Sequence, residues 1–161
     1  MLLFLNLLPY IVIFIFGITI GSFLNVCIYR IPLHESIVTV PSHCMTCGKK
    51  LKWYDMVPVF SWLVLGGKCR NCGSSISAQY PSIEAVNGLI YVLICAVNGL
   101  NSFSLIYCLM ASALLVLSVI DWRTYEIPFG INVFLFVLGV AMAVLDRVNR
   151  VEHLIGMVCV S

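Results

Sequence analysis

Cys44-Met-Thr-Cys47-Gly48 and Cys69-Arg-Asn-Cys72-Gly73, separated by the 21 residues between Cys47 and Cys69, decide how the rest of this chain is read. Two Cys-x-x-Cys pairs at this distance bring four thiolates to one point, which is how structural Zn²⁺ is held. The glycine after each pair suits a tight turn with φ > 0, in which backbone N–H groups point at the sulfurs. The rival reading is two disulfides in an exported loop. Arg30, Lys49, Lys50, Lys52, Lys68 and Arg70 face only Glu35 and Asp55 here, and a basic loop between spans stays in the cytoplasm, where thiols remain reduced. The spacing therefore predicts metal binding by Cys44, Cys47, Cys69 and Cys72, with His43 as a reserve ligand beside the first of them.

The surroundings of this loop are apolar. Hydrophobic residues make up 61% of the chain and charged ones 10%, and the mean hydropathy of +1.06 lies outside the soluble globular range. The expected fold class is an all-α polytopic membrane protein with a small cytoplasmic zinc-ribbon-like loop domain. The loop carries the chain's positive balance, +4 against −2 elsewhere for a net +2, so no basic stripe is left for nucleic acid.

Outward from the loop toward the N-terminus, residues 1–29 carry no charge, enough for a helix across a hydrocarbon core of about 30 Å. They lack the basic start and small-residue cleavage site of a signal peptide, so they read as a retained first span with its N-terminus outside. Gly17, Gly21 and Asn25 fall on one helix face, two bare backbone patches and one amide. Such a face packs closely against another helix, and Asn25 either seeks a hydrogen bond there or belongs to a site. Pro32 ends the span, and Arg30 is placed to snorkel to the headgroups. Within the loop, Val57-Pro-Val-Phe-Ser-Trp-Leu-Val-Leu65 predicts short strands, a turn or a surface helix over the metal. Trp53, Tyr54, Phe60 and Trp62 form either a mini-core or an interfacial belt.

On the other side of the loop, Pro81 and Glu84 suit the first turn of a helix. The 36 uncharged residues between Glu84 and Asp121 would be roughly 54 Å long as one helix, so they must break, at Asn98-Gly-Leu-Asn-Ser102. Spans are expected near 82–98, 103–120 and 129–145. Glu84, Asn87 and Tyr91 share a face of the first of these, and Glu84 is either a helix-end charge or a site residue. Asp121 closes the next span on the cytoplasmic side. Asp146 to His153 should form an outer loop, and Leu154 to Ser161 start a fifth span that is cut short. Cys27, Cys95, Cys108 and Cys159 are scattered singly in spans, and His34 and His153 are isolated. No internal repeat stands out.

Several of these stretches together resemble the bacterial type IV prepilin peptidases, the leader peptidase/N-methyltransferases. They are Gly21-Ser-Phe-Leu-Asn-Val-Cys-Ile-Tyr-Arg-Ile-Pro32, the two Cys pairs, Leu51-Lys-Trp-Tyr-Asp-Met-Val-Pro58, Gly66-Gly-Lys-Cys69, Tyr80-Pro-Ser-Ile-Glu84 and Ser118-Val-Ile-Asp121-x5-Ile127-Pro128. The likeness implies a multi-pass aspartic endopeptidase of the bacterial inner membrane. It would cut the leader of prepilins and pseudopilins after a glycine, then methylate the new N-terminus with S-adenosylmethionine. It implies that Asp121 is the first catalytic aspartate and that the methyltransferase function is linked to the Cys-bearing region, including the Gly66-Gly67 turn.

The second aspartate of that family lies in a Gly-x-Gly-Asp motif on a later span, which these 161 residues do not contain. Aspartic proteolysis needs two carboxylates sharing a proton, one acting as base and one as acid. The expected organisation is a first span at 1–29, a four-Cys cytoplasmic domain at 30–81, and peptidase-domain helices at 82–161 that are truncated. The chain alone is expected to lack protease activity, unless two copies each lend an Asp121. The alternative is a non-catalytic, membrane-anchored zinc-ribbon module that binds a partner.

Overall fold

Uninterrupted apolar sequence leaves a backbone in lipid no choice but to satisfy its own hydrogen bonds, and helices are the result. The computed structural model describes residues 2–145, with side chains from Leu7 onward. The outer loop after Leu145, the short fifth segment, His153 and Cys159 lie outside the described residues. The described elements are α1 (Leu2–Arg30), a 3₁₀ turn (Trp53–Met56), α2 (Phe60–Val64), α3 (Gln79–Asn98), α4 (Ser102–Thr124) and α5 (Phe129–Leu145). No strand occurs among them; two isolated antiparallel bridges, His43 with Lys50 and Lys68 with Ser75, stand in the loop.

Three helices, Leu7–Arg30 of α1, α3 and α4, are long and apolar enough to cross a membrane. α5 is apolar over its 17 residues, about 26 Å at helical rise, slightly short of the core thickness. The four spans expected within the described residues thus appear as three full-length helices and one shorter one.

The chain divides into two units, Met1–Leu93 and Ile94–Ser161. In the first, α1 and α3 run against each other along the two faces marked in the sequence. A Cβ on Gly21 would sit 2.7 Å from the Glu84 Cα, and one on Gly17 2.7 Å from the Gly88 Cα. Only glycine permits that approach, the small-residue packing of membrane helices. The amides seal the seam: Asn87 Nδ2 donates to the Gly17 carbonyl at 2.8 Å, and Asn25 Nδ2 to the Tyr80 carbonyl at 3.1 Å. Tyr29 stacks on Tyr80 with ring centroids 5.3 Å apart.

α1 ends at Arg30, before Pro32. Arg30 does not snorkel outward. It is buried, and its guanidinium donates to the carbonyls of Ser36 at 3.1 Å and Val40 at 2.8 Å. Five fixed donors suit a guanidinium to cap loop carbonyls that have no ladder to join.

In the second unit the break falls where expected. Asn101 caps α4 by accepting from the Ser104 N–H at 2.8 Å, and the Ser104 hydroxyl donates to the Gly99 carbonyl at 2.6 Å. The turn also brings Cys108 against Cys95, a meeting that spacing alone does not reveal. Ile106 of α4 packs with Leu138 and Met142 of α5, flanked by Phe103, Leu109 and Met110.

Candidate functional site

Each Cys pair folds into its own knuckle, and the two knuckles are built alike. In the first, the Cys44 N–H donates to the Lys49 carbonyl, Gly48 to Cys44 and Leu51 to Ser42; 25 residues on, Cys69 donates to Ser74, Gly73 to Cys69 and Ile76 to Gly67. The chain can turn back in this way because Gly48 and Gly73 adopt φ of +67° and +70°, where a side chain would be strained. This structural repeat has no counterpart in the sequence beyond Cys-x-x-Cys-Gly, because backbone bonds carry it.

The knuckles place all four ligand sulfurs, of Cys44, Cys47, Cys69 and Cys72, within 4.8 Å of one another, and the Cys44 and Cys72 sulfurs stand 3.9 Å apart. A tetrahedral Zn²⁺ with bonds of about 2.3 Å requires sulfurs about 3.8 Å apart, so the cage fits the ion. All four cysteines are free, and no disulfide occurs among the described residues. His43 is not part of the cage; its ring Nδ1 lies 3.1 Å from the Pro41 carbonyl.

The electrostatics favour the thiolate at Cys44 and Cys72 and disfavour it at Cys69, where burial and the neighbouring sulfurs outweigh the backbone hydrogen bonds. Backbone N–H groups of Cys47 and Thr46 hold the Cys44 thiol down to about 6, and the Ser74 hydroxyl and backbone lower that of Cys72. Around the sulfurs stand residues the sequence did not single out: Ser74 Oγ lies 3.1 Å from Cys72 Sγ, and Asn71 Nδ2 donates to Cys47 Sγ at 3.6 Å. Lys49 in turn donates to Asn71 Oδ1 at 2.7 Å, fixing the amide. The one signal for these residues was their place within or just after the second pair.

The aromatic residues of the loop divide into inward-facing and exposed ones. Trp62 faces inward, donating Nε1–H to the Ile76 carbonyl at 3.1 Å, and its ring leaves no room for a side chain on Gly67. Tyr54 carries Arg70 over its ring at 5.2 Å. Trp53 and Phe60 are exposed.

Glu84 is buried in the seam opposite Gly21, and its carboxylate accepts the Val59 N–H at 2.7 Å. Val59 has φ 61° and ψ −51°, and Phe60 N–H donates to the Pro58 carbonyl at 2.6 Å. That is a γ-turn of the rare positive-φ hand on a β-branched residue, strained and held by its surroundings. Asp121 is exposed in the last turn of α4, where its carbonyl accepts the N–H of Tyr125, an αL cap with φ 55°. Glu126 follows beyond that cap, also exposed.

A pocket of about 170 Å³ opens on the knuckles among Lys49, Lys50, Lys52 and Arg70. It is also lined by Asp55 and is smaller than the usual small-molecule site of about 300 Å³ or more.

Residues 15–98 match the family model of the Bacterial Peptidase A24 N-terminal domain, and residues 108–161 that of the Type IV leader peptidase family. A curated relative from Myxococcus xanthus, named prepilin leader peptidase/N-methyltransferase, is 40% identical over 131 residues, 81% of this chain and 39% of the relative. Relatives of the same name from Bacillus subtilis and Klebsiella pneumoniae are each 33% identical, over 76% and 78% of this chain and 50% and 58% of their own length. The chain thus spans roughly two fifths to three fifths of these relatives. No solved structure matches the chain significantly.

Proposed function

Because the chain belongs to the type IV leader peptidase family, we propose that it provides the metal-clamped cytoplasmic region and the first catalytic carboxylate of a prepilin leader peptidase/N-methyltransferase. The observation that carries this reading is the four-sulfur cage standing in a loop between apolar helices of a chain matched by both family models. Zn²⁺ is the metal the tetrahedral thiolate set suits; it would offset half of the four converging negative charges and fix the knuckles.

In this reading residues 1–29 form the first span, 30–81 the cytoplasmic four-Cys domain and 82–161 the helices of the peptidase domain, in a multi-pass protein of the bacterial inner membrane. Lys49, Lys50, Lys52, Lys68 and Arg70 keep the loop on the cytoplasmic side. The substrates are prepilins or pseudopilins, whose leader is cut after a glycine near the inner leaflet and whose new amine then takes a methyl group from S-adenosylmethionine.

Asp121 supplies one of the two carboxylates that such hydrolysis requires, as base toward water or as acid toward the peptide carbonyl. Its exposure at a helix end leaves it open to a peptide. No described residue matches the Gly-x-Gly-Asp of the second.

The test is Asp121→Ala introduced at the chromosomal locus, with leader removal followed by the mobility of the pilin-like substrate on a gel. Accumulation of uncut precursor at normal membrane levels of the variant is expected. Unchanged processing would overturn the assignment.

A further inference from the structure

The strained turn at Val59 fixes the start of α2 against the seam between α1 and α3. Its N–H is held by Glu84, which packs on Gly21 of α1. Gly21 lies nine residues before Arg30, the charge that ends the span, so the contact stands about 14 Å inward from it along the helix. The Glu84 side chain leans back toward the start of α3 by about one turn, which still leaves the start of α2 on the bilayer side of Arg30.

The face α2 turns outward from this position is apolar. Phe60, Leu63 and Val64, spaced i, i+3 and i+4, are 63%, 60% and 81% exposed, whereas Trp62 faces the second knuckle. A cytosolic loop stapled by a metal has no reason to show three large apolar side chains to water. Phe16 and Phe23 of α1, a helix long and apolar enough to cross a membrane, are exposed as well. Lys68 lies four residues after α2 and Lys52 eight residues before it, both exposed and suited to anionic headgroups.

We propose that α2 is an interfacial anchor: Phe60, Leu63 and Val64 insert at the boundary between headgroups and acyl chains, pinned there by the bond from Val59 to Glu84, so that the knuckles are held against the bilayer. The anchor is independent of the peptidase reading, since it uses neither Asp121 nor the metal chemistry. Its occupant is lipid, because the contacts from Val59 to Glu84 and from Glu84 to Gly21 seat the patch beside helices long and apolar enough to cross a membrane.

The test uses the full chain in vesicles of phosphatidylethanolamine and phosphatidylglycerol, with p-benzoylphenylalanine placed singly at Phe60, Leu63, Val64 or, as a control, Met45, which is equally exposed on the first knuckle. After irradiation, lipid adducts read by intact mass are expected several-fold more often at the three α2 positions than at Met45. Equal adduct yields, or cross-links at α2 to protein instead of lipid, would overturn the anchor. Hydroxyl-radical footprinting of the unmodified chain in the same vesicles keeps the test independent of the substitutions. Phe60 and Leu63 should be protected while Met45 is oxidised, and oxidation of all three would refute the proposal.

Discussion

At the knuckles four sulfurs gather within 4.8 Å, while at the α1–α3 seam two helix backbones approach so closely that a methyl group at Gly21 would stand 2.7 Å from the Glu84 Cα. Both contacts join residues far apart in sequence. The sulfurs repel one another once ionised and need a cation to stay together. The seam needs nothing external, because close packing of small residues and bonds from the Asn25 and Asn87 side-chain N–H groups to backbone carbonyls hold it. Metal removal should therefore take one region apart and leave the other intact.

That is the largest expected effect. Structural Zn²⁺ contributes about 10–16 kcal/mol in small metal-held units, so chelation, or Cys44→Ser, should unfold the loop from about Ser42 to Ile76. Hydrogen exchange should accelerate there and stay slow along α1 and α3. Equal loss of protection in both regions would break the distinction.

Protons compete with the metal in the same direction. The fold lowers the Cys44 thiol from 9.0 to about 6, so the thiolate is favoured in the folded loop. Its contribution is complete above 9.0 and is lost as the pH falls through about 6. Metal affinity, followed with a chromogenic chelator, should weaken progressively as the pH falls, because each sulfur must be deprotonated to bind.

The seam answers to size instead of charge. In Gly21→Leu the new side chain meets Glu84 backbone, which cannot rotate away, and overpacking of this kind costs about 3 kcal/mol. Reduced stability of the helix pair in detergent should appear with metal content unchanged. Asn87→Ala is milder. It removes a buried bond to the Gly17 carbonyl, and interhelical bonds in membranes average about 0.6 kcal/mol with a ceiling near 2. The ratio of these two losses measures how far the seam depends on close approach and how far on its amides.

How much of this was readable differs between the regions for physical reasons. Cys-x-x-Cys spacing encodes the reach of a ligand set, so Cys44, Cys47, Cys69 and Cys72 could be named as one cage from sequence. Helical periodicity encodes a face but not its partner. Gly17, Gly21 and Asn25 were visible, as were Glu84, Asn87 and Tyr91, yet nothing in the spacing said that the first set meets the second. Arg30 was misread because its acceptors are the carbonyls of Ser36 and Val40, which every sequence possesses. The turn at Val59 was invisible, since a β-branched residue at positive φ runs against every local preference. Asp121 was legible as a helix-end carboxylate, and its proposed catalytic part rests on family likeness.

The smallest effect belongs to the salt bridge of Arg70 with Asp55 at 2.8 Å on the knuckle surface. Arg70 is 53% exposed on its side chain, a setting in which ion pairs contribute about 0.2–1 kcal/mol. In Asp55→Asn the amide oxygen can still accept a bond, and Arg70 keeps its place over the Tyr54 ring. Resistance of the metal-loaded loop to urea should fall by less than about 0.5 kcal/mol, and less again in high salt. A loss well above 1 kcal/mol would mean that charge pairing shares in clamping the knuckles, and the division between a metal-held cap and a packing-held seam would need a third member.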